Sequence, residues 1–193
     1  WIMAYTVIDK PSDYFNTVLY TGNNTSQSIT GVGFQPDWVW LKERNGTEQH
    51  NLYDSVRGVY KRLMSDGTNA EYSSDTQLTA FGSDGFSVGS SDAINDAGNT
   101  MVAWNWRAGT AFTNDASSTS IGTLDSAGSS NQEAGFSIVS YTSNGSSNQS
   151  VAHNLGGVPE MIISKNRDST SASYNYWTVY HHSLATANDK KLK

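Results

Sequence analysis

The chain has 193 residues, no cysteine and a formal net charge of −6 at pH 7. The lack of cysteine excludes a disulfide framework and a thiolate metal site. The acidic balance, with no basic cluster larger than a neighbouring pair of Lys or Arg residues, argues against a nucleic acid partner. No apolar run approaches the roughly 20 residues of a membrane-spanning helix, so we expect no membrane insertion.

The predicted elements are mostly short strands. Only 36% of the residues are hydrophobic, but six Trp, ten Tyr and six Phe can bury a large area. Turn-forming residues separate the apolar runs. In chain order we predict strands at residues 16–21, 37–42 and 51–55, a short helix at 56–65, and strands at 86–89 and 101–107. Residues 95–99, Asn-Asp-Ala-Gly-Asn, predict a hairpin into the last of these strands.

The sequence of the first part then starts again. Residues 15–29 recur, with one insertion, as residues 136–151, and residues 33–45 recur as residues 157–168. Weaker matches pair residues 52–55 with 180–183 and residues 61–63 with 190–192. In the second copy we predict strands at residues 137–142, 160–165 and 177–181.

The repeat divides the chain into three parts. Residues 1–108 form the first module, residues 109–133 a Gly/Ser/Thr-rich linker, and residues 134–193 an incomplete second copy. We predict an all-β fold, a β-sandwich of jelly-roll or lectin-like type, followed by a partial second copy. Because the last third of the module has no counterpart, we expect the natural protein to be longer or this chain to be a fragment.

Tryptophans lie in two stripes. Trp38 and Trp40 share one face of a predicted strand, and Trp104 and Trp106 share one face of another. The repeat places Met and Ile where the first module has Trp38 and Trp40, which keeps apolar character but loses the flat ring needed to stack on a sugar. We therefore assign the four tryptophans to the core. The alternative is sugar binding by Trp104, Trp106 or Trp177.

Polar residues are also kept between the copies. They are Gln27 and Gln149, Asp37 and Glu160, Lys42 and Lys165, and Arg44 and Arg167. Lys42 and Arg44 share a strand face, and Asp37 lies on the other. One interpretation is a strand end closed by turn hydrogen bonds, with a solvated basic pair. The other makes Lys42 and Arg44 a rim that binds a partner protein or an acidic glycan.

Catalytic and metal motifs give no prediction of a site. The four His residues lack a familiar metal spacing, and the chain has no Gly-x-Ser-x-Gly elbow. The residues Asp92, Asn95, Asp96 and Asn99 could ligate calcium, but an acidic hairpin loop is the commoner explanation and the one we favour. We therefore expect no catalytic residue, no metal and no cofactor.

Five motifs carry a family resemblance. They are residues 13–23, 28–42, 52–58, 78–89 and 102–109. In this order they resemble a family of virion structural and tail-associated proteins of tailed, often marine, bacteriophages. The resemblance implies a β-sandwich module in a tail fibre, a tail tip or a capsid decoration, and it supplies no catalytic residue.

The resemblance leads to a functional hypothesis. We expect a non-enzymatic virion protein, made in the bacterial host cytoplasm, that mediates host attachment or particle assembly. Its partners would be other virion proteins and a host surface glycan, in a homo-oligomer. Two alternatives stay open: a carbohydrate-binding module, and a tailspike depolymerase that cuts polysaccharide with a carboxylate pair. The candidate ligand-binding residues are Trp104, Trp106, Trp177, Lys42 and Arg44.

Overall fold

The computed structural model describes residues 8–169 and 175–184. This part of the chain is nearly all β. Its strands are β1 (Phe15–Thr21), β2 (Gln27–Thr30), β3 (Trp38–Glu43), β4 (Asn51–Asp54), β5 (Lys61–Met64), β6 (Tyr72–Ser73), β7 (Leu78–Gly82), β8 (Gly85–Val88), β9 (Thr100–Trp106), β10 (Thr110–Asn114), β11 (Ser126–Asn131), β12 (Phe136–Tyr141), β13 (Met161–Ser164) and β14 (Thr178–His181). The helices are single turns: a 3₁₀ turn (Pro11–Asp13), α1 (Asp92–Asn95) and α2 (Ala116–Thr119).

The first module is a sandwich of two antiparallel sheets. One sheet has six strands in the order β1-β9-β3-β4-β5-β6, and the other has three in the order β2-β8-β7. Their facing sides form one hydrophobic core, which consists of Ile29, Val39, Leu41, Tyr53, Leu78, Phe86, Val88, Ile94 and Ala103. The prediction of an all-β sandwich is confirmed.

The assignment of the tryptophan stripes to this core is wrong. Successive side chains of a strand point to opposite faces, and in β3 the buried ones are Val39 and Leu41, whereas Trp38 and Trp40 are half-buried on the outer face. In β9, Ala103 is likewise fully buried while the tryptophans alternate with it. Both faces of these strands are apolar, so composition alone could not say which face meets the second sheet.

The predicted linker contains two strands. β10 and β11 form a three-stranded sheet with β12 of the second copy. Small side chains permit this pairing, because a Cβ at Gly128 would lie 2.4 Å from the carbonyl oxygen of Ile138 and 2.6 Å from the Phe112 ring. The stretch is therefore part of the sheet that begins the second copy.

The second copy reproduces the β3–β4 hairpin of the first. In the first module Trp38 lies opposite Asp54, and in the second copy Met161 lies opposite His181. The structural counterpart of Asp54 is thus His181, so residues 52–55 match residues 179–182. The weak sequence match to residues 180–183 was out of register by one residue.

Two local predictions are wrong. Residues 56–65 form a turn followed by β5, because the Arg57 guanidinium donates hydrogen bonds to the carbonyl oxygens of Leu52 and Lys61 and folds the chain back. The hairpin at residues 95–99 is replaced by α1 and a turn. These lead from β8 in the three-stranded sheet to β9, which lies between β1 and β3 in the six-stranded sheet.

Candidate functional site

A cavity of about 700 Å³, called the groove below, lies between the first module and the second copy. Its first wall is the outer face of the six-stranded sheet, with Trp38, Leu52 and Leu63. Its second wall comes from the second copy, with residues 136–140 of β12 and alternate residues of β13, beginning at Met161.

A chain of ion pairs closes the groove at one end. The Arg57 guanidinium pairs with the carboxylates of Asp54 and Glu71, and Nη1 lies 3.0 Å from Glu71 Oε2. Arg167 of the second copy binds the same Glu71 carboxylate and donates from Nη1 to Ser140 Oγ at 3.0 Å. The Arg57 side chain is only 5% exposed, so its ion pairs lie largely out of water, whereas the Arg167 side chain is 32% exposed.

The ion pairs set the charge state of the network. Burial raises the pKa of the Glu71 carboxyl, but hydrogen bonds from Arg167 and Arg57 outweigh it, so the pKa lies below its ordinary value. The same bond to Glu71 raises the pKa of Arg167. Burial lowers the pKa of Lys165, which also lines the groove. Glu71 is therefore ionised at neutral pH and joins the two copies electrostatically.

Aromatic rings form a second part of the contact between the copies. The Phe136 ring of β12 stacks on Trp38 with 5.6 Å between centroids, and it lies 6.4 Å from Trp106. Trp38 and Trp106 are themselves 5.3 Å apart, and Phe15 packs against Trp106 at 4.8 Å. We call these rings, together with Trp40 and Trp104, the aromatic layer. It covers the outer face of the six-stranded sheet.

Trp104 and Trp106, two of the predicted ligand-binding residues, differ in their surroundings. Trp106 packs against the rings of Phe15, Trp38 and Phe136, so its own ring already makes contacts within the protein. Trp104 contacts the edge of Trp40 at 6.1 Å and is half-buried. Trp104 is therefore the better placed of the two for a ligand.

Lys42, Arg44 and Trp177 occupy three different places. Lys42 is half-buried on the outer face of β3, where Nζ donates to the carbonyl oxygen of Glu43 at 2.7 Å. Arg44 is exposed beyond the strand end, and its backbone N–H donates to Thr100. Trp177 lines the groove and donates from Nε1 to the carbonyl oxygen of Met64 at 2.7 Å. The five predicted residues do not form one site.

The polar residues kept in both copies have a mainly structural role in the first copy. Asp37 is buried, and its carboxylate accepts hydrogen bonds from Ser55 Oγ at 2.7 Å and from the backbone N–H groups of Ala108 and Gly109 at 2.9 and 2.6 Å. This closes the strand end as the first interpretation expects. Its counterpart Glu160 has a side chain that is 79% exposed. The two carboxylates therefore share a position and differ in their partners.

Side chains that could ligate calcium are already engaged in hydrogen bonds within the protein. The fully buried Asn95 accepts through Oδ1 from Gln27 Nε2 at 2.5 Å and from the backbone N–H of Asn23. Asn99 donates to Asp96 and Glu43. Within residues 8–169 and 175–184, no group of three or more His, Asp or Glu side chains is arranged to hold a metal ion.

Sequence reasoning missed most of the groove. Glu71 lies in a stretch without periodicity, and nothing in the sequence pairs it with Arg57 or Arg167. Leu52 was placed in a predicted strand and Leu63 in a predicted helix, and neither prediction said which face of the element is buried. The only available signal was the repeat, which singled out Arg167 as the counterpart of Arg44.

Comparison with known protein families gives one match. The family model described as Domain of unknown function (DUF7483) matches residues 10–193. The chain belongs to this family. No curated protein and no solved structure matches the chain significantly. In the part of the chain that the structure describes, no helix has the length and apolar character needed to cross a membrane.

Proposed function

We propose that this member of the DUF7483 family is a non-enzymatic structural protein of a bacteriophage virion, where its β modules mediate host attachment or particle assembly. The five motifs that resemble virion and tail-associated proteins motivate this proposal. The observation that carries it is the ion pair between the copies. Arg167 of the second copy binds the Glu71 carboxylate of the first module, which joins the two β modules. Such a coupled array suits a particle component that bears load.

The proposal includes partners and a location. The chain would assemble in the host bacterial cytoplasm with other virion proteins as a homo-oligomer, and a host surface glycan would be its external ligand. Its acidic charge of −6 accords with contacts to proteins rather than to nucleic acid. It needs no cofactor.

The test is the protein composition of purified particles. Virions of the phage that encodes the chain should contain it at a fixed copy number by quantitative mass spectrometry, and cryo-EM should place it in a tail fibre, a tail tip or the capsid lattice. A particle with the gene deleted is the control. Absence of the chain from purified infectious virions would overturn the proposal.

Carbohydrate binding is the second candidate, and the position of Trp104 favours it. Its ring lies on the outer face beside Trp40, and the Trp40 indole N–H donates to His50 Nδ1 at 2.8 Å, which fixes a polar group next to an aromatic surface. A glycan array with the wild type and with Trp104→Ala should show hits that the variant loses. Hits retained by the variant, or no hits with the wild type, would count against this site.

No comparable feature of the described residues favours the depolymerase hypothesis. Of the two carboxylates that line the groove, Asp54 is bound by Arg57, and Glu160 lies just before β13 with a side chain that is 79% exposed. A polysaccharide hydrolase needs one protonated and one ionised carboxyl on either side of the bond to be cut. Depolymerase activity stays a prediction, tested by release of oligosaccharides from host capsule or lipopolysaccharide.

A further inference from the structure

Arg62 in β5 carries a positive charge that no acceptor among the described residues neutralises. Its Nε atom is enclosed by protein and lacks a hydrogen-bond partner. Within residues 8–169 and 175–184, its guanidinium forms no ion pair and no hydrogen bond. The guanidinium carbon lies 5.1 Å from the centroid of the Tyr72 ring, which is a cation–π arrangement. This contact attracts the charge but leaves the hydrogen-bond donors of Arg62 unused.

Arg57, five positions earlier, shows how the same module satisfies a guanidinium internally. Its side chain binds the carboxylates of Asp54 and Glu71 and two backbone carbonyl oxygens. Removing a charge from water costs free energy unless hydrogen bonds and an opposite charge replace the water. In the described part of the chain, the half-buried Arg62 has no such partners. Its donors are therefore available to a molecule from outside.

Strand pairing brings Arg62 to the surface beside Tyr72. β5 and β6 pair so that the two residues lie opposite each other, and a backbone hydrogen bond of 3.1 Å from Ser74 to the carbonyl oxygen of Tyr60 extends the pairing. Side chains at paired positions project from the same face of a sheet. Tyr72 is 49% exposed and Tyr60 37% exposed, so a ligand from solvent can reach this place. The enclosed nitrogen of Arg62 is Nε, whereas its two terminal nitrogens are not enclosed.

The chemistry of the guanidinium decides which ligand fits. Its N–H donors lie in one plane and form a rigid fork. Two N–H groups of such a fork match two oxygens of one carboxylate, phosphate or sulfate group, and the opposite charges strengthen both hydrogen bonds. A neutral hydroxyl group would accept a hydrogen bond but would leave the charge of Arg62 unpaired. The ligand group is therefore an oxyanion.

We propose that Arg62, held over the Tyr72 ring, binds an oxyanion group of an external ligand through its two terminal nitrogens. The group is a carboxylate, a phosphate or a sulfate, carried by an acidic sugar or present as the free ion. The site differs from the rim predicted at Lys42 and Arg44, where Lys42 Nζ already donates to a carbonyl oxygen at 2.7 Å. An oxyanion can bind whether or not the chain is found in virions, so failure of either proposal is recognised separately.

The test is a titration of the full chain at neutral pH and constant ionic strength, followed by NMR of the arginine Nε–H signals. The titrants are inorganic phosphate, sulfate and glucuronate, and glucose is the neutral control. We expect the Arg62 signal, identified by its loss in Arg62→Lys, to shift and saturate with an oxyanion and not with glucose. Tightest binding of glucuronate would identify a carboxylated sugar as the ligand, and tightest binding of phosphate or sulfate a tetrahedral oxyanion. No saturable shift with any of the three anions would overturn the proposal.

Two charge-removing variants locate the site. Arg62→Gln removes the unpaired charge, and Arg44→Gln removes an exposed charge from the same module. Shifts of the backbone amides of β5 and β6 measure binding to the variants, and far-ultraviolet circular dichroism checks that each variant is folded. We expect Arg62→Gln to weaken oxyanion binding at least about tenfold and Arg44→Gln to leave it unchanged. Equal weakening by both substitutions would show general attraction to positive charge and would overturn the proposal.

Further variants test the geometry of the site. Arg62→Lys keeps the charge but replaces the fork by one ammonium group, so we expect binding to weaken about fivefold. Tyr72→Leu removes the ring that holds the guanidinium and should weaken binding about threefold. Tyr141→Leu is the control, because this tyrosine is 51% exposed in another sheet, and it should have no effect. If Arg62→Lys and Tyr72→Leu bind as tightly as the wild type, the proposed site is wrong.

Discussion

Arg167 donates two hydrogen bonds to the carboxylate of Glu71, from Nε to Oε2 and from Nη2 to Oε1, each 3.0 Å long. This fork-to-fork geometry is the strongest arrangement available to an arginine and a carboxylate. It joins residues that are 96 positions apart in the sequence. Glu71 is therefore one of the side chains on which the contact between the two copies depends.

Removal of this side chain should destabilise the protein. Glu71→Ala leaves two guanidinium groups without their shared partner, and that of Arg57 is 5% exposed. We expect the free energy of unfolding to fall by about 3 kcal/mol, as measured by urea denaturation. Asp75→Ala, which removes an exposed carboxylate a few residues away, should change it by less than about 0.5 kcal/mol. Equal effects of the two substitutions would show that the ion pairs do not hold the copies together.

The contribution of Glu71 should depend on pH. Its pKa in the folded protein lies below the ordinary value of 4.5, so its stabilising effect is complete above that value and is lost as the pH falls through the lowered native pKa. The difference in unfolding free energy between the wild type and Glu71→Gln should thus be constant near neutrality and shrink below about pH 4.5. A difference that stays constant down to about pH 2 would contradict this assignment.

The kept carboxylates of the two copies should respond differently to substitution. Asp37→Ala removes the acceptor of two backbone N–H groups and one hydroxyl in a buried position, so we expect a loss of about 3 kcal/mol. Glu160→Ala, the same change in the second copy, removes a side chain that is 79% exposed and should cost less than about 0.5 kcal/mol. Thermal or urea unfolding measures both, and comparable losses would mean that Glu160 has partners like those of Asp37.

Phe136 should anchor β12 to the first module. Phe136→Ala removes the ring that stacks on Trp38, and we expect a loss of about 2 kcal/mol together with faster hydrogen exchange in β12. Tyr141→Ala is the control, because this residue ends the same strand and is 51% exposed. Unchanged exchange in Phe136→Ala would show that the aromatic layer does not hold the second copy.

The positions of the strands with a clear pattern could be predicted from the sequence, but which face of each strand is buried could not. β1, β3 and β9 were located to within about one residue, because alternation and turn residues mark strand ends. Their orientation depends on what covers each face. Val39 and Trp40 are both apolar, and only the tertiary structure places the first between the sheets and the second outside.

The groove could not be predicted, because its parts have no pattern in the sequence. Arg57 was included in a helix prediction, yet its side chain hydrogen-bonds to backbone carbonyls on both sides of a turn. Glu71 lies in a loop, and its role as an ion-pair partner is visible only in the structure, where Arg167 binds its carboxylate. The repeat gave the equivalence of the copies, but the one-residue error in the alignment of residues 52–55 became visible only from the strand pairing of Trp38 with Asp54 and of Met161 with His181.

The aromatic layer gives the protein a built-in optical reporter. Four of the six tryptophans lie in it, and the centroids of Trp38 and Trp106 are 5.3 Å apart. Indole transition dipoles at this separation couple, so the near-ultraviolet circular dichroism should be dominated by the outer face of the sheet and not by the interior of the sandwich. A change in that spectrum with intact far-ultraviolet signal would record the separation of the two copies without any added label.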